Sequence, residues 1–190
     1  MKRLVDILVS ACALLALSPL LVIVGLGVLV DLGFPILFRQ TRPGLDERLF
    51  TMLKFRSMRE GGMSRWGAFL RRWSLDEFPQ LINVLAGDMS LVGPRPLLAR
   101  YLPFYTEHER LRHSVKPGMT GWAQIHGRNS ASWDQRLALD VWYVENRTPL
   151  LDARILAETC WVVISRRGVI PNPDDLPLPD LDVARQDVAD

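Results

Sequence analysis

Cysteine and histidine are nearly missing from this chain of 190 residues, which holds two of the first (Cys12, Cys160) and three of the second (His108, His113, His126). No disulfide framework, CxxC pair or zinc-ligand spacing exists, which argues against a structural zinc site and fits a reducing compartment. Internal repeats are absent. So is any recognised nucleic-acid motif, and the cations are scattered rather than clustered on one element, so nucleic acid is not the expected partner. Basic and apolar residues are scarce at one end: residues 171–190 carry six Asp, one Arg and the prolines Pro171, Pro173, Pro177 and Pro179. That stretch reads as a disordered acidic tail. The remaining body holds 22 Lys and Arg against 15 Asp and Glu. A basic body attracts phosphorylated substrates or anionic lipid, and this length suits one domain with a real core.

What is present in excess is apolar length. From Ile7 to Val30 there are 24 residues without a charge, about 36 Å of helix, enough for a bilayer core of about 30 Å. Three readings apply. A lipoprotein signal ending at Val9-Ser10-Ala11-Cys12 fits poorly, because Asp6 interrupts the run before Cys12 and most of the hydrophobicity follows it. A plain spanning helix is the second reading. The third is a helix-break-helix that enters and leaves on one side, divided at Ser18-Pro19 into two arms of about 17 Å each. Pro19 removes a hydrogen bond to the Leu15 carbonyl, and the Ser18 hydroxyl can donate to Leu14 or Leu15 in compensation. Lys2 and Arg3 before the segment, and Arg39, Arg42 and Arg48 after it, favour both ends in the cytoplasm.

In the body, Ile36–Phe38 and Leu49–Phe55 flank a turn at Pro43-Gly44-Leu45-Asp46 and predict a β-hairpin. Residues 65–73 place Trp66, Phe69, Leu70 and Trp73 on one helical face beside arginines. This is the pattern of an interfacial amphipathic helix, or of a helix docked on a core. A short apolar helix over 80–86 ends at Gly87, and a loop-rich region follows. Residues 134–146 and 152–166 read as two amphipathic helices separated by Thr148-Pro149.

The adjacent acids Asp76 and Glu77 stand between Arg71 and Pro94-Arg95-Pro96. A capping box on Ser74 and Glu77 is the bland account, but Pro79 would then fall inside the helix, where it costs a hydrogen bond. A helix opening at Pro79 leaves both acids just before its N-terminus, where a substrate phosphate is favoured. Paired carboxylates among cations suit phosphoryl chemistry.

The ordered series Ser18-Pro19, Arg42-Pro43-Gly44, Lys54-Phe55-Arg56, Asp76-Glu77, Gly93-Pro94-Arg95-Pro96, Lys116 to Trp122 and Leu150-Leu151-Asp152 resembles the bacterial sugar transferases. These are the monotopic phosphoglycosyl transferases, here their small members of the kind that act in N-glycan assembly. The resemblance runs from about residue 1 to 168. It implies an α/β fold, mostly helical with a short hairpin. A re-entrant membrane helix (1–35) would carry a cytoplasmic transferase domain (36–170) on the bacterial inner membrane, followed by the tail (171–190). It implies transfer of a sugar 1-phosphate from a UDP-sugar to undecaprenyl phosphate with release of UMP, and a requirement for Mg²⁺.

By the same match Asp76 is the nucleophile and a Mg²⁺ ligand, and Glu77 assists proton transfer from the polyprenyl phosphate or orients it. Lys54, Arg71, Arg95 and Asp152 build or charge the site, although Lys54 and Asp152 can equally pair with each other or with neighbours. Arg128 and Asn129 either read the sugar or nucleotide or shape a turn. The run 127–133 resembles members that use N-acetylated or modified hexoses. The alternatives are a glucose or galactose member, which lacking extra spanning helices ahead of the domain disfavours, and a non-catalytic membrane-anchored anion-binding scaffold. A homodimer is left open.

Overall fold

The computed structural model describes residues 1–60, 62–126, 131–165 and 179–186. Helix α1 (Lys2–Leu32) opens the chain. Strands β1 (Leu37–Pro43) and β2 (Leu49–Phe55) pair antiparallel with Thr41 opposite Thr51, the hairpin that the turn at Pro43–Asp46 predicts. A minimal ladder, β3 (Met58–Arg59) and β4 (Gly62–Met63), leads into α2 (Arg65–Arg72). A 3₁₀ turn over Leu75–Glu77 then precedes α3 (Gln80–Ala86), which ends at Gly87. Beyond it come β5 (Ser90–Val92), α4 (Glu107–Arg110), β6 (Gly118–Thr120), α5 (Trp122–His126), α6 (Trp133–Asn146), α7 (Pro149–Ser165) and α8 (Leu181–Gln186).

Three local outcomes follow from residue chemistry. Ser74 makes no capping bond and sits left-handed at φ 55°. The helix after the acid pair spans Gln80–Ala86, as the sequence predicts, with Pro79 as its cap rather than its first helical residue. The region read as loops contains a parallel pair, β5 with β6. Each strand is three residues long, too short to carry a period-two signal. Their contact needs glycine, since a Cβ on Gly118 would lie 2.1 Å from the Gly93 nitrogen.

The main core joins β2, α3, β5, α6 and α7 through Met52, Leu81, Val84, Val92, Tyr143 and Ile155. A second cluster of Val24, Val28, Phe55 and Leu70 fastens α1 to β2 and α2. Helix α2 is thus docked, its Leu70 fully buried, with Phe69 left exposed.

Helix α1 is bound to this body at both ends. Near its start, Arg3 donates to the carbonyls of Val84 (2.5 Å) and Leu85 (2.8 Å) at the C-terminus of α3, where a cation is favoured. The buried Asp6 carboxylate accepts from Ser90 Oγ and the Leu91 N–H, both at 3.1 Å. Cleavage before Cys12 would discard these contacts, against the lipoprotein reading. Near its other end Val24 and Val28 pack into the second cluster, and Gly27 lies under the Trp66 ring. Between them Ser18 Oγ donates to the Leu15 carbonyl at 2.8 Å, the compensation expected for Pro19. Helical structure continues through Pro19, so the proline does not divide the segment into two elements. Only 11% of its most apolar stretch is buried by protein. A helix this long and apolar, with Leu15, Val22, Ile23, Leu26 and Val30 exposed, needs lipid to cover it.

The acidic tail departs from expectation where it is described. Leu181–Gln186 is helical and Leu181 is fully buried against Tyr101, Tyr105 and Leu137. One apolar side chain and the ion pairs of Arg185 with Glu109 and Asp134 offset the ordering cost. Residues 171–178 and 187–190 lie outside the described residues.

Gly67 tests the seat of α2. A Cβ there would stand 1.9 Å from the Ser57 carbonyl oxygen. Gly67→Ala is expected to lower unfolding stability by about 1–3 kcal/mol, the usual range for overpacking, measured by urea denaturation in detergent. A variant as stable as the parent would contradict this packing.

Candidate active site

Four segments far apart in sequence converge on the acid pair. The 3₁₀ turn presents Asp76 and Glu77, β2 supplies Lys54, α2 supplies Arg71, and the Pro94-Arg95-Pro96 turn supplies Arg95. Glu77 is fully committed: Oε1 accepts from Lys54 Nζ (2.8 Å) and Arg95 Nη2 (2.5 Å), and Oε2 from Arg95 Nη1 (3.2 Å). The arginine contact is bidentate, the strong geometry for a carboxylate. Asp76 is buried, yet its carboxylate takes part in no hydrogen bond or ion pair among the described residues. Arg71 is held by Ser57 Oγ at 2.9 Å.

The two acids diverge electrostatically. Burial alone would raise the Glu77 pKa, but Arg95 and Lys54 outweigh it and hold the carboxyl far below the usual range. Asp76 moves the other way. Burial raises it first and the neighbouring Glu77 charge second, against the weaker pull of Lys54, Arg71 and Arg95. Such divergence separates the roles of adjacent acids. A carboxylate held this low is a poor proton acceptor near neutral pH. Burial draws the Lys54 ammonium below its ordinary value, with Glu77 opposing, and Glu77 pushes the Arg95 guanidinium upward.

Beside this cluster lies a cavity of about 310 Å³ whose lining includes Arg42, Lys54, Arg95, Arg136, Tyr101 and Trp133. Its size is within the range of small-molecule sites, and its wall carries four cations against one carboxylate, Asp180. Arg42 is bonded to Gln40 and its pKa falls to about 10 through burial and the Arg95 charge. The Arg95 backbone is pinned from behind: Arg112, almost wholly buried, donates to the Arg95 carbonyl (2.6 Å) and to Asp140 (2.8 Å).

With this geometry in view, the sequence profile of bacterial sugar transferases matches residues 1–166. The chain belongs to the bacterial sugar transferase family. It is 46% identical to the "Uncharacterized sugar transferase EpsL" of Bacillus subtilis, over 89% of this chain and 90% of that one. It is 39% identical to the "UDP-glucose:undecaprenyl-phosphate glucose-1-phosphate transferase" of Xanthomonas campestris, over 87% of this chain and 39% of the relative. With the "Undecaprenyl-phosphate galactose phosphotransferase" of Salmonella typhimurium the identity is 38%, over 88% and 41%. The chain thus spans about two fifths of the length of these two longer relatives.

Of the site residues predicted for this sugar transferase, Lys54, Arg71, Asp76, Glu77 and Arg95 come together. Asp152 does not join them. It accepts from Tyr143 Oη (2.6 Å) and Lys2 Nζ (2.5 Å) in a separate cavity beside the start of α1, so it pairs with neighbours rather than with Lys54. Arg128 and Asn129 lie outside the described residues. Sequence reasoning assigned no role to Arg42, Tyr101, Trp133 or Arg136. Arg42 stood in the Arg42-Pro43-Gly44 motif and Trp133 in the run 127–133, and these were the signals available.

The divergence of the two acids sets opposite effects on stability. Glu77, held below its unfolded value, contributes stability that is present above the unfolded pKa and fades as pH falls through the folded one. Asp76, raised on folding, costs stability as it ionises with rising pH. At neutral pH Asp76→Asn is therefore expected to keep or raise the melting temperature. Glu77→Gln should lose about 1.5–3 kcal/mol with its charged hydrogen bonds. Thermal unfolding of both variants in one detergent checks this, and the reverse order would contradict it.

Proposed function

We propose that this sugar transferase moves a sugar 1-phosphate from a UDP-sugar to undecaprenyl phosphate in two displacements on Asp76. The observation that carries the reading is the Asp76 carboxylate itself: buried, raised in pKa, free of hydrogen bonds among the described residues, and next to cations held in place by Glu77. In the first step an Asp76 oxygen attacks the phosphorus bonded to the sugar, the bridging P–O bond breaks, and UMP leaves with that oxygen. In the second, an oxygen of undecaprenyl phosphate attacks the same phosphorus and the acyl phosphate bond breaks. This restores Asp76 and yields a diphosphate-linked sugar. Splitting one exchange into two displacements is what a covalent nucleophile achieves.

Cations lower the repulsion between a carboxylate and an anionic diphosphate, and Lys54, Arg71 and Arg95 surround the approach. Glu77 orients Lys54 and Arg95; its depressed pKa favours that role over proton transfer. The donor set fits Mg²⁺ in a limited way. No group of three or more acidic, His or Cys ligands occurs among the described residues, so Asp76 is the available protein ligand. Mg²⁺ bound by one carboxylate, water and substrate phosphate is ordinary. When bound, it would neutralise developing phosphate charge.

We infer further that α1 enters and leaves the membrane on one side, with the catalytic body on the cytoplasmic face. Contacts at both ends of α1 to one body support this path, as do the cations flanking it. For the donor, the 127–133 run favours an N-acetylated or modified hexose, whereas the names of the longer relatives favour glucose or galactose.

UMP release by detergent-purified protein, with undecaprenyl phosphate, Mg²⁺ and a panel of UDP-sugars, tests the reading. One donor should support release, and Asp76→Asn should lose it by about a thousandfold or more. The rate should fall as pH drops through the Asp76 titration, because protonated Asp76 cannot attack. Silence with every donor would favour the anion-binding scaffold. Release that survived in Asp76→Asn would sink the covalent route.

A further inference from the structure

The segment 179–186 lies beyond the residues shared with the family profile, yet it closes one side of the basic cavity. Pro179 accepts from Trp133 Nε1 at 2.8 Å, and Asp180 Oδ1 accepts from Tyr101 Oη at 2.7 Å. Arg100 pairs with Asp180 Oδ2 and reaches Asp182 at 3.2 Å. Leu181 is fully buried between Tyr101 and Leu137. Arg185 closes the other end, bonded to Glu109 (2.6 Å), Asp134 (2.8 Å) and the Phe104 carbonyl (2.5 Å). Tyr101 and Trp133, both in the cavity wall, are thus among the residues that hold this strap. Asp180 is itself part of that wall.

A carboxylate has about four acceptor sites, and the bonds to Tyr101 and Arg100 occupy two. Asp180 is half exposed, which leaves acceptor capacity toward the cavity. Burial and the bond to Asp180 push the Tyr101 phenol up to about 12, so Tyr101 stays a donor and keeps Asp180 aimed. Arg42, Lys54, Arg95 and Arg136 line the same cavity and favour a diphosphate. A carboxylate repels one. The part of a ligand that meets Asp180 must therefore offer donors rather than phosphate oxygens, and in a nucleotide sugar those donors are the hydroxyl groups, the uracil N3–H and, in an N-acetylated sugar, the amide N–H.

Resting on the transferase reading, we propose that the strap 179–186 completes the donor site and that Asp180 accepts a hydrogen bond from a hydroxyl or N–H group of the nucleotide sugar. Asp180 is thus a specificity-determining residue outside the family's shared region. The donor group belongs either to the transferred sugar or to the uridine, and the test separates the two.

The experiment is titration calorimetry of the full chain in detergent against UDP-glucose, UDP-N-acetylglucosamine and UMP, which reads binding whether or not turnover occurs. Asp180→Ala removes the acceptor. Leu181→Ala undocks the strap while the chain keeps its Asp180 carboxylate. Both are expected to weaken binding of at least one UDP-sugar by about tenfold or more, the scale of a hydrogen bond to a charged group. If the donor group is on the transferred sugar, UMP affinity stays at the parent value. If it is on the uridine, UMP weakens in parallel. Affinities within about twofold of the parent for all three ligands would overturn the proposal, as would a parent chain that binds none of them. Loss of binding in the variants alongside a parent that releases no UMP would instead uphold the strap and count against the transferase reading.

Discussion

The bonds from Lys54 and Arg95 to Glu77 are the interaction on which the rest of the site depends. They tie β2, the 3₁₀ turn and the Pro94–Pro96 turn to one carboxylate. Two acids adjacent in sequence would otherwise compete for the same cations. Because Glu77 takes both cations, Asp76 keeps its oxygens open while still feeling their field. Arg112 and Asp140 extend the arrangement inward, since the Arg112 bond to the Arg95 carbonyl fixes the turn from the core side. A pair so deeply placed leaves a costly unpaired charge when one partner is removed. This argues for site geometry, not stability, as its use.

The membrane helix and the site are built on shared residues. Phe55 packs on Val24 and Val28 one residue after Lys54, and α2 seats Leu70 in that cluster one residue before Arg71. The exposed apolar surface of α1 therefore sits at a fixed offset from Asp76. This is the relation a transferase needs if one substrate is soluble and the other is a lipid phosphate. The N-terminal contacts of Arg3 and Asp6 hold the other end of α1 to α3 and β5, and α3 directly follows the acid pair.

Much of this was legible in the sequence, and for particular reasons. The β1–β2 hairpin followed from its turn residues, α3 from Pro79 and Gly87, and α6 and α7 from the break at Thr148-Pro149. Asp76 and Glu77 stood out as neighbours among cations. Their partners came only through resemblance, because no local rule links Lys54 or Arg95 to Glu77 across 23 and 18 residues. Asp152 shows the limit: its acidity was plain, but its partners, Lys2 and Tyr143, are set by how α1 packs. The tail misled because its composition is that of a disordered segment, while the single buried Leu181 and the reach of Arg185 decide its structure. Tyr101, Trp133, Arg136 and Asp180 were out of reach, since three separate segments bring them to one cavity.

Carboxyl-resolved ¹³C NMR titration of the protein in nanodiscs, with Asp76 and Glu77 assigned by single substitution, addresses the division between the two acids. Glu77 should stay ionised to the lowest pH at which the fold survives, and Asp76, in the absence of metal, should take up its proton above its ordinary value. If Glu77 protonated first, or if both titrated together in the ordinary range, Glu77 would not be the group that organises the cations, and Asp76 would not be the carboxylate left free to react.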